Sequence, residues 1–264
     1  MGQVSPSERA AALIGDDLLA SGLRRGGIVL VHSSLSSMGR VPGGPETVVR
    51  GILTALGPEG TLLMPALTYE RVTREHPFFD VLRTPSNVGA IPEHFRLRDG
   101  TRRSLHPTHS VCAVGPHTAA LLDEHHLDRT PVGAHSPFRK VQDFGGQLLF
   151  LGCGLRPNTS MHGVEELVEP PYLFGEMITY RIMDAHGHEG QIAYRRHAFN
   201  GWRQHYDRVE ALLEEGTEIV RGRVLQATTH IIESRALWAR AREALEGDPF
   251  YFVERAPSRA SQGD

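Results

Sequence analysis

The stretch LGCGLRPNTSMHGVEELVEPPY (Leu151 to Tyr172) follows a short apolar run. Within a few residues it sets out an amide (Asn158), a hydroxyl (Thr159), an imidazole (His162) and two carboxylates (Glu165 and Glu166). Asn158 or Thr159 suits the N-cap of a helix continued by SMHGVEELV, because a side-chain oxygen there accepts an otherwise unpaired backbone N–H. On that helix His162 lies three and four residues before Glu165 and Glu166, so imidazole and carboxylate share a face. A carboxylate beside the ring favours its protonated form and can orient it, which suits a general base. An ordinary helix start with a solvated histidine fits the same letters, and on spacing alone that plainer reading leads.

A second cluster is VLVHSSLSSMGRVPGGPET (Val29 to Thr47), with His32 and four serines at the C-terminal end of an apolar run. Open α/β sheets bind ligands beyond such strand ends. The turn Gly43-Gly44-Pro45 would open a helix whose free N–H groups can hold a phosphate. It is neither a dinucleotide G-x-G-x-x-G nor a P-loop, and a polar capping loop fits equally. A third cluster is SLHPTHSVCAVGP (Ser104 to Pro116). His106 precedes Pro107 and is biased to extended backbone. Ser110 either donates to an oxyanion or simply ends a loop. No G-x-S-x-G elbow is present, which counts against an α/β-hydrolase. Cys153, between two glycines, reads as a small buried residue rather than a nucleophile. The pairs in HPTH and HGH lack H-E-x-x-H or a matched carboxylate spacing, so no metal is expected.

These residues need strands to carry them to one edge and helices to cover the strands. The apolar positions of residues 7–23 recur at helical spacing, and GIVLVHSS and TLLMPALTY read as buried strands around a helix that starts near Pro45 and ends before Gly57-Pro58. Residues 69–86 read as loop, NVGAIPEHFRLRDG as a short helix, SVCAVG as a strand and HTAALLDEHHL as a helix. SPFRKVQDFGG reads as a helix capped by Ser136. The alternation either side of AHGHEG predicts a hairpin. Beyond it come a helix over 202–215, one strand in EIVRGRVLQATT and a last helix in ESRALWARAREALEG. The pattern predicts α/β architecture in one domain spanning 1–264, with a polar tail from about residue 257.

Composition narrows the function. The 264 residues carry a net charge of −3, so there is no basic footprint for nucleic acid. No apolar run could span a bilayer, and the first residues lack a signal-peptide layout, so a cytoplasmic protein is expected. Two cysteines, Cys112 and Cys153, exclude a disulfide framework. The oligomeric state leaves no signal.

Taken in order, VHSSLSSMGRVPGG, LGPEGTLLMP, HPTHSVCAVGP and GQLLFLGCGLRPNTSMHGVEE closely resemble the aminoglycoside 3-N-acetyltransferases, over roughly residues 7 to 255. The resemblance implies a mixed central sheet flanked by helices, unlike the small N-acetyltransferase fold. It implies acetyl-CoA as cosubstrate, no metal, and the 3-amino group of a 2-deoxystreptamine antibiotic as acceptor. The family's N-T-x-x-H-x-x-E element falls on Asn158, Thr159, His162 and Glu165, making His162 the proton acceptor. The serine-rich loop (His32, Ser33, Ser34, Ser37, Gly39, Arg40, Gly43 and Gly44) would hold pantetheine and pyrophosphate, with Arg40 on a phosphate. Ser110 would lie near the thioester, where it, His32 or a backbone N–H could stabilise an oxyanion. A polycationic substrate calls for acidic walls, with Glu165, Glu166, Glu169, Asp80 and Glu75 as candidates beside Tyr69 and Asn158. Asp207 or Glu210 are alternative partners for His162. The rival readings are a same-fold acyltransferase for another amine, a non-catalytic binder of CoA or antibiotic, and a metal-dependent hydrolase using the histidine clusters.

Overall fold

Helix α1 (Pro6–Ala20) starts at a reciprocal capping box, in which the Ser5 hydroxyl accepts the Glu8 N–H and the Glu8 carboxylate accepts the Ser5 N–H. In this computed structural model, which describes residues 4–256, it is followed by strand β1 (Ile28–Ser33), helix α2 (Gly44–Leu56) and strand β2 (Thr61–Pro65). The polar tail expected from about residue 257 lies outside the described residues. Next come β3 (Phe78–Asp80), α3 (Ala90–Leu97), β4 (Arg102–Arg103), β5 (Val111–Val114), α4 (Thr118–Leu122) and α5 (Pro137–Asp143). The second half runs β6 (Gln147–Leu151), α6 (Met161–Val168), β7 (Phe174–Met183), β8 (Glu189–His197), β9 (Trp202–Gln204), β10 (Ile219–Val224), β11 (Ala227–Glu233), α7 (Ser234–Gly247) and β12 (Val253–Arg255).

The main sheet has seven strands in the order β10-β11-β6-β1-β2-β5-β4. Its centre is parallel, with β1 between β6 and β2, and both flanks are antiparallel, so the sheet is mixed as expected. Side chains alternate across it. Val29, Val31, Leu149 and Leu151 join the core beneath α1, α2 and α3, while Leu30, Leu148, Phe150 and Ile232 join the core beneath α5, α6 and α7. With both faces covered, these strands read as unbroken apolar runs. The hairpin β7–β8 forms a separate three-stranded sheet with β3.

This topology positions the site. Because β1, β2 and β6 run the same way, their C-terminal ends meet at one edge. The antiparallel β5 starts there too, since Val111 pairs with Pro65. The HPTH segment before β5 and the NTSMH segment after β6 are therefore delivered to the same place.

Several elements differ from the sequence reading. The single strand expected in EIVRGRVLQATT is a hairpin, β10–β11, turning at Leu225-Gln226 with Leu225 at φ 52°. No glycine or asparagine announces that turn, so the apolar alternation reads through it. The helix expected over 202–215 is β9 plus a 3₁₀ stretch, Tyr206–Leu212. Pairing of β9 with β12 and stacking of Trp202 on Phe250 at 4.6 Å override the helical spacing. The segment 69–86 contains β3, and the helix expected through Leu127 shortens to α4 with a 3₁₀ turn, His125–Leu127. Neither Asn158 nor Thr159 caps α6; Ser160 occupies the N-cap position, and its hydroxyl accepts the indole N–H of Trp238 at 2.9 Å. Ser136 stands at the N-cap of α5 without a side-chain cap bond.

Candidate active site

At the sheet's carboxyl edge lies a cleft of about 480 Å³, walled by the end of β1 (Val31 to Ser33), Pro65, Tyr69 and His109, and on the other side by Cys153, Arg156 to Thr159, His162, His197, Arg203 and Tyr206. His162 sits in the first turn of α6. Glycine follows it because a Cβ on Gly163 would stand 2.3 Å from the Trp238 ring and 2.8 Å from Val132. The small residue lets α6 settle onto α7, and Trp238 fixes the helix start through Ser160.

One turn on, Glu165 is fully buried. Its Oε2 lies 3.2 Å from His162 Nδ1 and accepts the Tyr206 hydroxyl at 2.7 Å; its Oε1 accepts the Tyr172 hydroxyl at 2.9 Å. The Tyr206 oxygen is itself 3.0 Å from His162 Nδ1. Burial first, and then the charge of Glu165, pushes both tyrosines up, so they stay protonated and donate. With both phenolic protons on Glu165, Nδ1 is left to donate, and Nε2 keeps its lone pair. The carboxylate partner of His162 is thus Glu165; Glu210 instead pairs with Arg221 and His230.

Two further histidines face His162. The His197 ring centroid is 4.9 Å away and that of His109 5.7 Å. His197 Nε2 lies 2.8 Å from Glu166 Oε1, and Glu166 also accepts from Thr130 and from the Val132 N–H. Burial pushes the Glu166 carboxyl up to about 7, and burial holds His109 and His197 well below the usual histidine range, so both rings are neutral. His109 is placed by His106, whose Nδ1 accepts the N–H groups of Thr108 and His109 at 3.2 and 3.0 Å. His32 stacks on Phe150 at 5.0 Å between centroids, and burial lowers its pKa to about 3. His32 Nε2, the Ser33 hydroxyl and both amide atoms of Asn158 are buried without a protein partner among the described residues.

Not every expected residue is here. The Ser110 hydroxyl is buried, donating to the Ala66 carbonyl and accepting from Arg103 Nε, each at 2.8 Å, so it has no capacity left for a thioester. Asp80 lies at a different depression and accepts the backbone N–H groups of Leu82 and Arg83. Glu165 and Glu166 are buried behind the histidines, and no carboxylate of the described residues lines the cleft, so the acidic walls expected from Glu75, Asp80, Glu165, Glu166 and Glu169 do not form there. Of the first loop, His32 and Ser33 line the cleft. Ser34 and Ser37 belong to a hydroxyl chain ending on the Gly152 carbonyl, and Gly39, Arg40, Gly43 and Gly44 follow beyond it. Gly152 is at φ 73°, and a Cβ on it would stand 2.7 Å from Ser37 Cβ, which explains the glycine before Cys153. Burial raises the Cys153 thiol to about 11, in keeping with its structural reading. The sequence does not single out His197 and Tyr206, which reach the site from distant segments, or Tyr172, which lies seven residues beyond Glu165 past Pro170-Pro171 with no helical spacing to tie it to His162.

A sequence model of the aminoglycoside 3-N-acetyltransferase family matches residues 30–246. The chain belongs to this family. Aminoglycoside N(3)-acetyltransferase VII of Streptomyces paromomycinus is 30% identical over 261 residues, covering 83% of this chain and 85% of that one. Among solved structures, a histidine-to-alanine mutant of the aminoglycoside acetyltransferase AAC(3)-IVa in complex with a gentamicin superposes with TM-score 0.78 at 30% identity, covering 96% and 93% of the two chains. AAC-IIIb in its binary complex with CoASH matches with TM-score 0.77 at 25% identity, covering 92% and 97%. The family assignment makes the chain an acetyltransferase, and the mixed sheet is that of its relatives.

Proposed function

We propose that the cleft transfers the acetyl group of acetyl-CoA to the 3-amino group of a 2-deoxystreptamine aminoglycoside, with His162 as proton acceptor. The observation that carries this reading is the arrangement of Glu165 and Tyr206 on His162 Nδ1, which leaves Nε2 as the free ring nitrogen at the cleft. An ammonium group has no lone pair with which to attack a thioester. A neutral imidazole that takes its proton supplies one, and such help is worth on the order of 10²–10⁴ in rate. The imidazolium so formed is stabilised by the buried Glu165 carboxylate. Acetyl-CoA supplies the activated acyl carbon. The cleft fits the end of its pantetheine arm, since about 480 Å³ is within the usual range for ligand sites and the orphaned polar atoms of His32, Ser33 and Asn158 await partners. Neutral His32, the Ser33 hydroxyl and the Asn158 amide are side chains free to donate to the oxygen that gains charge during attack. The loop from Ser34 to Gly44, with Arg40, is assigned to the CoA phosphates, and Tyr69 and Asn158 to the acceptor side.

Acetylation turns a cationic amine into a neutral amide, which removes a charge the antibiotic uses to bind; resistance follows from that loss. The protein acts where acetyl-CoA is available, in the cytoplasm on this reading. Incubation with acetyl-CoA and a panel of aminoglycosides, read by thiol release and by locating the acetylated nitrogen, tests it. A 3-N-acetyl product is expected; acetylation only at another position, or none with CoA bound, would contradict it.

A further inference from the structure

The cleft holds more imidazole than proton transfer to one amine requires. One ring nitrogen from each of His109, His162 and His197 lies within 4.8 Å of the others. In each of the three rings one nitrogen already has a partner: Glu165 and Tyr206 on His162 Nδ1, Glu166 on His197 Nε2 at 2.8 Å, and the Thr108 hydroxyl on His109 Nδ1 at 2.9 Å. Metal-bound histidines are held this way, the outer nitrogen on a carboxylate or hydroxyl fixing the tautomer and orientation of the inner one. The nitrogens left over are Nε2 of His109, Nε2 of His162 and Nδ1 of His197. The last is the telling one. The His197 side chain is only 6% exposed, and its Nδ1 is buried with no partner among the described residues. A buried, unpartnered acceptor is destabilising, and proton transfer at His162 makes no use of it. Nothing positively charged faces Glu166 among its hydrogen-bond partners, a threonine, a backbone N–H and a neutral histidine.

We propose that His109, His162 and His197 form a three-histidine site for a zinc-class divalent ion at the floor of the cleft, and that zinc bound there inhibits acetyl transfer. Three neutral imidazoles are a donor set that zinc takes, with the fourth position left open towards the cleft. A tetrahedral site with Zn–N bonds of about 2.0–2.1 Å needs the nitrogens roughly 3.3 Å apart, so the rings close in on the ion by small rotations. The carboxyl groups of Glu165 and Glu166 stand behind two of the ligands. Inhibition rests on the reading of His162 as base: the Nε2 lone pair that binds zinc is the one that would accept the amine's proton, so the two uses exclude each other.

Chelator-stripped, tag-free protein titrated with cobalt(II) as a zinc surrogate tests the site. One equivalent should bind with the strong visible absorption of tetrahedral nitrogen ligation and be displaced by zinc. His197→Ala and His109→Gln should each lose that band and weaken binding at least tenfold, while His186→Ala/His188→Ala, which removes the exposed pair in the β7–β8 turn, should keep both. Because a cleft variant can fail to fold, the wild-type measurement stands alone: no stoichiometric cobalt binding, or a purely octahedral spectrum, overturns the site. In the acetyl-transfer assay zinc should lower wild-type turnover at least tenfold and a chelator should restore it. Zinc bound at the site with turnover unchanged overturns the inhibition, and with it His162 as the base, but not the site.

Discussion

A histidine serves as a base only while one ring nitrogen keeps its lone pair, and in this chain that choice is made by the buried carboxylate behind the ring. Glu165, Tyr172 and Tyr206 are all buried, and Glu165 takes up Nδ1 of His162. Glu165→Gln should therefore lower kcat by about 10²–10⁴ with KM little changed, because the charge that stabilises the imidazolium is lost while the cleft surface is kept. Steady-state kinetics on a variant with wild-type circular dichroism checks this; an equal rise in KM with constant kcat would contradict it. Cys153 offers a second test at this scale. Its thiol is held near 11 by burial, so alkylation at pH 8 should run well below the rate for a free thiol, and mass spectrometry against a model thiol measures the ratio. The pairing of His162 with Glu165 was legible in the i, i+3 spacing. Its choice over Asp207 and Glu210 was not, because that depends on which acid is buried.

At the scale of the element, α6 shows how a local rule and a tertiary contact share the work. Its amphipathic pattern was readable, but its first turn is fixed from outside by Trp238 on α7. Gly163→Ala should destabilise the fold by about 1–3 kcal/mol through overpacking against Trp238 and Val132. Thermal melts should show a drop of roughly 2–4 °C per kcal/mol, and kcat should fall as His162 is displaced. An unchanged melting temperature would contradict the packing account. The elements misread from sequence have one physical cause: their turns or pairings are set by contacts, not by local chemistry. Leu225 takes the left-handed conformation without being glycine, and Trp202 leaves a helical pattern to stack on Phe250.

For the molecule as a whole, an α/β architecture followed from unbroken apolar runs alternating with helices, whereas the strand order and the parallel centre β6-β1-β2 did not. Nor did the burial of so many of the chain's fifteen histidines around one edge. Burial lowers His32 and His106 to about 3 and His125 well below its ordinary value. A group neutral in the folded state but able to charge when unfolded makes the unfolded chain bind more protons, so stability falls as pH falls. Each such histidine contributes up to about 1.4 kcal/mol per pH unit below roughly 6.5, until its folded pKa is reached. Urea midpoints should accordingly drop steeply between pH 7 and 5.5, a window in which most carboxylates are still ionised. A flat profile there would contradict the burial.

On the proposed function His162 accepts the amine's proton. The most direct test is single-turnover acetyl transfer by His162→Ala at saturating acetyl-CoA and aminoglycoside, with CoA affinity measured alongside. A loss of about 10²–10⁴ in rate is expected, with CoA binding within a few-fold of wild type. Transfer at the wild-type rate would contradict it.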